Sequence, residues 1–199
     1  MIEKWRSFIV ITPGQEIHAR VRELVRELRP ACDEAGHSVR WVHPSKVHLT
    51  MRFLGDVPVP LALALEDACR PLGAFERFNL GYMGLGAFPD ASRPRVIWMG
   101  VSDPDGHVAR LHAALTRILE EQGIASEKRS FSPHVTLGRV RKPGPGTIAP
   151  VFEALADEPL GEEVISKIIF YRSTLHSSGA VHEPKWVVDL GRERRPRET

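Results

Sequence analysis

Two short segments repeat one pattern, histidine, an apolar residue, threonine and another apolar residue. They are His48–Met51 (HLTM, the first tetrad) and His134–Leu137 (HVTL, the second tetrad), with the two histidines 86 positions apart. Histidine gives or takes a proton near neutral pH without much tuning, and a threonine hydroxyl donates hydrogen bonds to phosphoryl oxygens that gather negative charge. Two imidazoles flanking one phosphorus can activate water and protonate the departing oxygen. The pattern therefore predicts phosphoryl chemistry that needs no metal.

Both tetrads are typical of β-strands, in which alternate side chains share a face. The histidine and threonine of each tetrad are predicted to lie on one face, and the aliphatic residues on the buried face. Strict alternation puts Arg139 on the face opposite the second histidine, so the strand must end, bulge or twist after Leu137 for this guanidinium to reach the site. Alternation puts Arg52 on the face of His48, where we interpret it as a solvated surface charge.

The elements that must position the tetrads are strands interspersed with amphipathic helices. The apolar spacing over 16–28 predicts a helix that Pro30 ends, and 164–174 predicts one continuous strand. Further helices are predicted at 60–69, 106–122 and 149–156, and further strands at 8–11, 39–42, 47–54, 95–101, 134–140 and 185–190, with a glycine-rich, partly alternating segment at 79–88. Since no long parallel βαβ series and no GxGxxG or P-loop motif occurs, the order favours an α+β fold with antiparallel sheets.

The amino-acid composition limits which classes of protein this chain can belong to. Of the 199 residues, 42% are hydrophobic, which is enough for a packed core. The 27 basic and 25 acidic residues argue against a protein that coats nucleic acid through bulk charge, while a local basic site for a phosphate-bearing ligand stays open. We expect a single domain over residues 1–191 and a flexible basic tail over 192–199.

Cysteine use and hydropathy predict the compartment. Cys32 and Cys69 belong to no CxxC or Cys–His metal pattern, and two lone cysteines are typical of a reducing compartment. No apolar run approaches the roughly 18–20 residues that a membrane span needs. We therefore expect a cytoplasmic monomer without membrane contact, and the sequence implies no cofactor, metal or protein partner.

The tetrads and their flanks resemble a known family. HLTM and HVTL look like the two signature tetrads of the 2H phosphoesterase superfamily. The segments 41–55 (WVHPSKVHLTMRFLG), 94–101 (PRVIWMGV) and 131–140 (FSPHVTLGRV) together resemble the bacterial and archaeal RNA 2′,3′-cyclic phosphodiesterases, historically called 2′-5′ RNA ligases. The resemblance implies an α+β fold of two lobes, with two antiparallel β-sheets and outer helices related by a pseudo-twofold axis, and with the tetrads facing a central cleft.

The same resemblance implies an activity and roles for five residues. The activity is metal-independent hydrolysis of a terminal ribose 2′,3′-cyclic phosphate to a 2′-phosphate. His48 would be the acid that protonates the 3′-oxygen, and His134 the base that activates water. Thr50 and Thr136 would hold phosphate oxygens, and Arg139 takes the place of the arginine that follows the second tetrad in the family.

Three further substrate contacts are implied with it. Phe53 and Phe131 lie where aromatic side chains near the cleft contact the terminal base, although alternation leaves core packing equally open for Phe53. Relatives often carry a tyrosine near the C-terminus where this chain offers His182. The implied partner is an RNA 3′ end or a nucleotide with a cyclic phosphate. Ligation, the reverse of ring opening, is chemically possible, but abundant water favours hydrolysis.

Two alternatives stay open at this point. The first is a phosphodiesterase of the same superfamily that acts on another cyclic nucleotide, such as ADP-ribose 1″,2″-cyclic phosphate, or on a 2′-5′-linked oligonucleotide. The tetrads do not separate this alternative from the RNA enzyme. The second is a non-catalytic RNA-end binder, and the presence of both histidines and both threonines argues against it, because binding alone does not need two titratable groups.

Overall fold

The computed structural model describes residues 2–127, 129–176 and 179–191. The strands are β1 (Lys4–Ile11), β2 (Ser38–Trp41), β3 (Leu49–Pro58), β4 (Phe78–Phe88), β5 (Val96–Ser102), β6 (His134–Lys142), β7 (Pro159–Ile165), β8 (Lys167–His176) and β9 (Gly179–Asp189). The α-helices are α1 (Gln15–Glu34), α2 (Val59–Cys69), α3 (His107–Glu121) and α4 (Ala149–Ala154). Short 3₁₀ helices cover Pro44–Lys46 and Arg70–Ala74.

The strands form one antiparallel sheet with two halves. In the first half-sheet the order outward from the centre is β3, β1, β8, β9, and in the second it is β6, β5, β4, β7, with β2 pairing to β6. The halves are joined at one register pair, Leu49 of β3 opposite Val135 of β6. The α+β class is confirmed, and the two predicted sheets are halves of a single hydrogen-bonded sheet. The pseudo-twofold axis stays a prediction, which the similar outward order of the two halves supports.

The helices divide between the two half-sheets. Helices α2 and α3 contact the first half-sheet, and α1 and α4 contact the second. The buried residues of α1 recur three or four positions apart, as an amphipathic helix requires: Ile17, Val21, Leu24, Val25, Leu28 and Cys32. One hydrophobic cluster includes residues of both half-sheets and of all four helices, so the tetrad strands rest on a common core.

Several predicted boundaries are wrong: β1 begins at Lys4 rather than at residue 8, and β9 at Gly179 rather than at residue 185. Two further errors have a clear physical cause. Helix α1 continues through Pro30 to Glu34, although Pro30 donates no backbone N–H to the helix. Pro30 is exposed, and the buried Cys32 extends the apolar face of the helix into the core beyond it. The strand predicted over 164–174 is divided at Ser166 into β7 and β8, because β7 pairs with β4 in the second half-sheet and β8 pairs with β1 in the first.

The face of the first half-sheet that carries the first tetrad has its own apolar patch. Phe8, Val10 and Ile169 form a second, smaller cluster, with Tyr171 packed against it, since these residues alternate along β1 and β8 with residues of the main core. The predicted tail over 192–199 lies outside the described residues. In the part of the chain that the structure describes, no helix has the length and apolar character to span a membrane.

Candidate active site

The two tetrads meet where the half-sheets join. The register pair between β3 and β6 consists of the second residue of each tetrad, Leu49 and Val135. In an antiparallel pair, Cβ atoms directly opposite lie about 4.5–5.5 Å apart and diagonal neighbours about 7–8 Å apart. Continuing the register puts the histidine of each tetrad opposite the threonine of the other, and puts the two histidines on a diagonal. On this register we expect the two imidazoles and the two hydroxyl groups to face a common space.

The backbone holds both imidazoles in the same way. Nδ1 of His48 lies 3.0 Å from the carbonyl oxygen of Lys46, and Nδ1 of His134 lies 2.7 Å from the carbonyl oxygen of Ser132. A carbonyl oxygen only accepts hydrogen bonds, so each Nδ1 carries a proton and donates it. Each ring is left with Nε2 as the atom that takes or gives a proton at the reacting group.

An aromatic ring packs against each of these imidazoles. The ring centroid of Phe8 lies 5.2 Å from that of His48. The ring centroid of Phe88 lies 5.0 Å from that of His134, and the two planes are nearly perpendicular at 80°. These contacts restrict the rotation of both histidines, so that the Nε2 atoms keep a defined direction.

Trp98 completes the wall beside His134. It pairs with Thr136 across the sheet, and its ring centroid lies 6.2 Å from that of His134. The indole lies so close to Gly86 that a Cβ atom there would come within 2.2 Å of it. The sequence analysis missed Phe8, Phe88 and Trp98 as parts of the site. For Trp98 a signal was available, namely its position in the alternating 94–101 segment, which could have placed it on the histidine face.

A β-bulge follows the threonine of each tetrad and changes which side chains share the histidine face. The register between β1 and β3 skips Met51, and the register between β5 and β6 skips Leu137. An extra residue reverses the faces of the positions beyond it. The break in alternation that Arg139 requires is therefore present at Leu137, and Arg139 lies on the face of the second tetrad's histidine.

The ionisation of His48 indicates which groups are close to it. Burial lowers the pKa of His48, the hydrogen bond to the Lys46 carbonyl raises it, and the charges of Arg139 and His134 lower it further. A Coulombic effect of this kind requires proximity in a poorly solvated space. Arg139 and His134 therefore lie near His48, as the pairing of Leu49 with Val135 also requires of His134.

The bulge at Met51 also makes the prediction for Arg52 wrong. The Arg52 side chain is 2% exposed and is not a solvated surface charge. Its guanidinium donates to the carbonyl oxygen of Ala125 and lies 3.5 Å from the carboxylate of Glu127. Both partners belong to the segment between α3 and β6, so Arg52 ties the first tetrad's strand to the chain that leads into the second tetrad.

The two phenylalanines predicted near the base have different surroundings. Phe53 lies beyond the bulge and is 42% exposed, with the guanidinium carbon of Arg6 4.8 Å from its ring centroid. The alternative of core packing for Phe53 is therefore wrong. Phe131 stacks on His112 of α3 with ring centroids 3.8 Å apart and planes 5° apart. This contact occupies one face of Phe131, and its contact with the terminal base stays a prediction.

His182 of β9 lies beside the first tetrad. Its ring centroid is 5.8 Å from that of His48 and 4.9 Å from that of Phe8. Burial lowers the pKa of His182, and the charges of His48 and Lys46 lower it further. Within the residues that the structure describes, no group of three or more histidine, cysteine, aspartate or glutamate side chains is arranged to hold a metal ion.

The chain is similar to several proteins that are named for the same activity. Residues 6–174 match the family model described as the 2′-5′ RNA ligase superfamily. The RNA 2′,3′-cyclic phosphodiesterase of Aeropyrum pernix is 32% identical over 162 residues, which cover 81% of this chain and 92% of that protein. The protein of the same name from Aquifex aeolicus is 32% identical over 145 residues, which cover 72% of this chain and 77% of that protein.

Solved structures share the fold. The protein TT0787 of Thermus thermophilus superposes with a TM-score of 0.75 at 26% identity, covering 93% of this chain and 97% of that one. Escherichia coli LigT in its apo form superposes with a TM-score of 0.76 at 23% identity, covering 96% of this chain and 99% of that one. The agreement extends over nearly the whole of each chain.

Proposed function

Because this chain belongs to the 2′-5′ RNA ligase superfamily, we propose that it hydrolyses the 2′,3′-cyclic phosphate at an RNA 3′ end and leaves a 2′-phosphate. One observation supports the proposal most: two imidazoles from adjacent strands each have Nδ1 bonded to a backbone carbonyl, and the charges of His134 and Arg139 act on His48. Similar proteins named RNA 2′,3′-cyclic phosphodiesterase support the choice of substrate.

The two histidines divide the proton transfers of this reaction. Nε2 of His134 takes a proton from water as the water oxygen bonds to phosphorus. The bond from phosphorus to the 3′-oxygen breaks, and Nε2–H of His48 gives its proton to that oxygen. One water molecule is consumed, the 2′-phosphate remains, and the two imidazoles end with exchanged protonation states. Since both protons are handled by side chains, we propose that the reaction needs no metal.

The other cleft residues stabilise charge on the phosphoryl oxygens. The hydroxyl groups of Thr50 and Thr136 donate hydrogen bonds to the non-bridging oxygens, and Arg139 supplies a fixed positive charge. The carbonyl of Ser132 accepts from Nδ1 of His134 and stabilises the imidazolium that forms during the reaction. The exposed ring of Phe53 is proposed to contact the terminal base, and His182 to contact the terminal nucleotide.

Product identification tests this proposal. The protein is incubated in EDTA with an oligoribonucleotide that ends in a 2′,3′-cyclic phosphate. We expect a terminus with a 2′-phosphate and a free 3′-hydroxyl, at the same rate with and without the chelator. A 3′-phosphate product would contradict the assignment of the 3′-oxygen as leaving group, and loss of activity in EDTA would contradict the metal-free mechanism.

The lowered pKa of His48 predicts that this histidine titrates at low pH in the free protein and at higher pH when phosphate is bound. In the free protein the pKa of His48 lies below its ordinary value of 6.5, so the imidazolium is lost as pH rises through that lower value. A bound phosphate anion favours the charged ring and raises the pKa. An NMR titration of the imidazole protons is expected to show His48 titrating below pH 6.5 alone and higher with inorganic phosphate. A His48 pKa that phosphate leaves unchanged would contradict the placement of the phosphate beside Nε2.

A further inference from the structure

A small cavity lies beside His48, and its lining includes none of Thr50, His134, Thr136 and Arg139. Its volume is about 140 Å³, and its wall includes Lys46, Thr12, Tyr171 and His182 together with His48. None of the described residues that line it is acidic. We call this cavity the Lys46 pocket, and its wall combines one ammonium group, two imidazoles and three hydroxyl groups, the third from Ser45.

Two of the residues that line the Lys46 pocket each have a buried polar atom without a partner. Thr12 Oγ1 and His182 Nδ1 are buried, and neither forms a hydrogen bond in the structure. Buried polar atoms in folded proteins are normally satisfied by protein, water or ligand. Both atoms can donate a hydrogen bond, His182 in the tautomer that carries its proton on Nδ1. The pocket is therefore suited to a ligand that accepts hydrogen bonds.

The charge in the pocket favours an anionic ligand. Within the described residues, the Lys46 ammonium group forms no ion pair. Lys46, His48 and His182 all line the pocket, so these three basic groups face the same space. An anion between them removes their mutual repulsion and pairs with the ammonium group.

The position of the pocket indicates which anion it receives. In the proposed function, His48 protonates the 3′-oxygen of the terminal ribose, so that ribose lies against His48. The nearest other phosphate of an RNA chain is the phosphodiester on the 5′-carbon of the same ribose. We infer that the Lys46 pocket holds this 5′-phosphodiester, with Lys46 supplying the charge and with Thr12 and His182 donating hydrogen bonds. The inference rests on the proposed function and specifies its substrate class as oligonucleotides rather than single nucleosides.

A pair of matched substrates isolates this contact. Both are dinucleotides that end in a 2′,3′-cyclic phosphate, and they differ only in the internal linkage, which is a phosphodiester in one and an uncharged methylphosphonate in the other. The wild-type protein is expected to have about a 10-fold higher kcat/KM for the charged linkage, the size expected for one charge-assisted hydrogen bond. Lys46→Met is expected to abolish this preference. The change leaves the Lys46 carbonyl that orients His48 in place.

Two comparisons make the result specific. Lys4→Met removes the same charge from an exposed position at the opposite end of β1 from Thr12, and it is expected to keep the preference. Thr12→Val is expected to reduce the preference without changing any charge. If the wild type cleaves both dinucleotides equally, or if Lys46→Met keeps the wild-type preference, the inference is overturned while the proposed function stands. If the wild type opens neither cyclic phosphate, the proposed function itself fails.

Discussion

Replacing His134 by alanine is expected to lower kcat for cyclic phosphate hydrolysis by about 10²- to 10⁴-fold, the usual contribution of a general base. Nδ1 of His134 is bonded to the Ser132 carbonyl, which leaves Nε2 as the atom that takes the proton. His48→Ala is expected to cost a similar factor, because it removes the acid of the same step. Single-turnover assays of both variants measure the two losses.

The variant that carries both His48→Ala and His134→Ala tests the shared step more specifically than either single variant. Since the two imidazoles act on one phosphorus in one step, the combined loss is expected to be much smaller than the product of the single losses. His176→Ala is the matched control, because His176 is exposed near the end of β8 and is expected to leave kcat unchanged. Losses that multiply fully would indicate that the two histidines act in independent steps.

Replacing Arg139 by methionine is expected to lower kcat by about 10²- to 10³-fold, as removal of a preorganised group that stabilises transition-state charge does. The same change is expected to raise the pKa of His48, because burial and then the positive charges of Arg139 and His134 hold that pKa down. The two effects have separate readouts, one in turnover and one in an NMR titration of His48.

A matched control separates this local effect from loss of net charge. Arg117 is exposed on α3, so Arg117→Met makes the same charge change away from the cleft. It is expected to leave both kcat and the pKa of His48 unchanged. An Arg139→Met variant in which the pKa of His48 does not rise would contradict the position of the guanidinium that the bulge at Leu137 provides.

The candidate site was predictable because its signal is local. The two tetrads contain the same residue types at the same spacing, and the period of two in a strand fixes which of their side chains share a face. The requirement that Arg139 follow a bulge also came from this period alone. The fold class followed from the absence of parallel βαβ spacing and of phosphate-loop motifs.

The remaining features depend on partners far away in the sequence. The bulge at Met51 arises from pairing with β1, and nothing within β3 marks it; for this reason the burial of Arg52 was missed. The division at Ser166 reflects the pairing of β7 and β8 with different half-sheets. The Lys46 pocket joins Thr12, which follows β1, and residues of β8 and β9 to the first tetrad, and no spacing in the sequence reveals that contact.

The central claim is that His48 and His134 act on opposite sides of one phosphorus. A crystal structure of the protein with a nucleoside 2′-phosphate, the expected product, tests it most directly. We expect the Nε2 atoms of both histidines to lie within hydrogen-bond distance of oxygens on the same phosphorus, about 2.7–3.2 Å away. A phosphate that contacts one imidazole and leaves the other in a separate pocket would contradict the account.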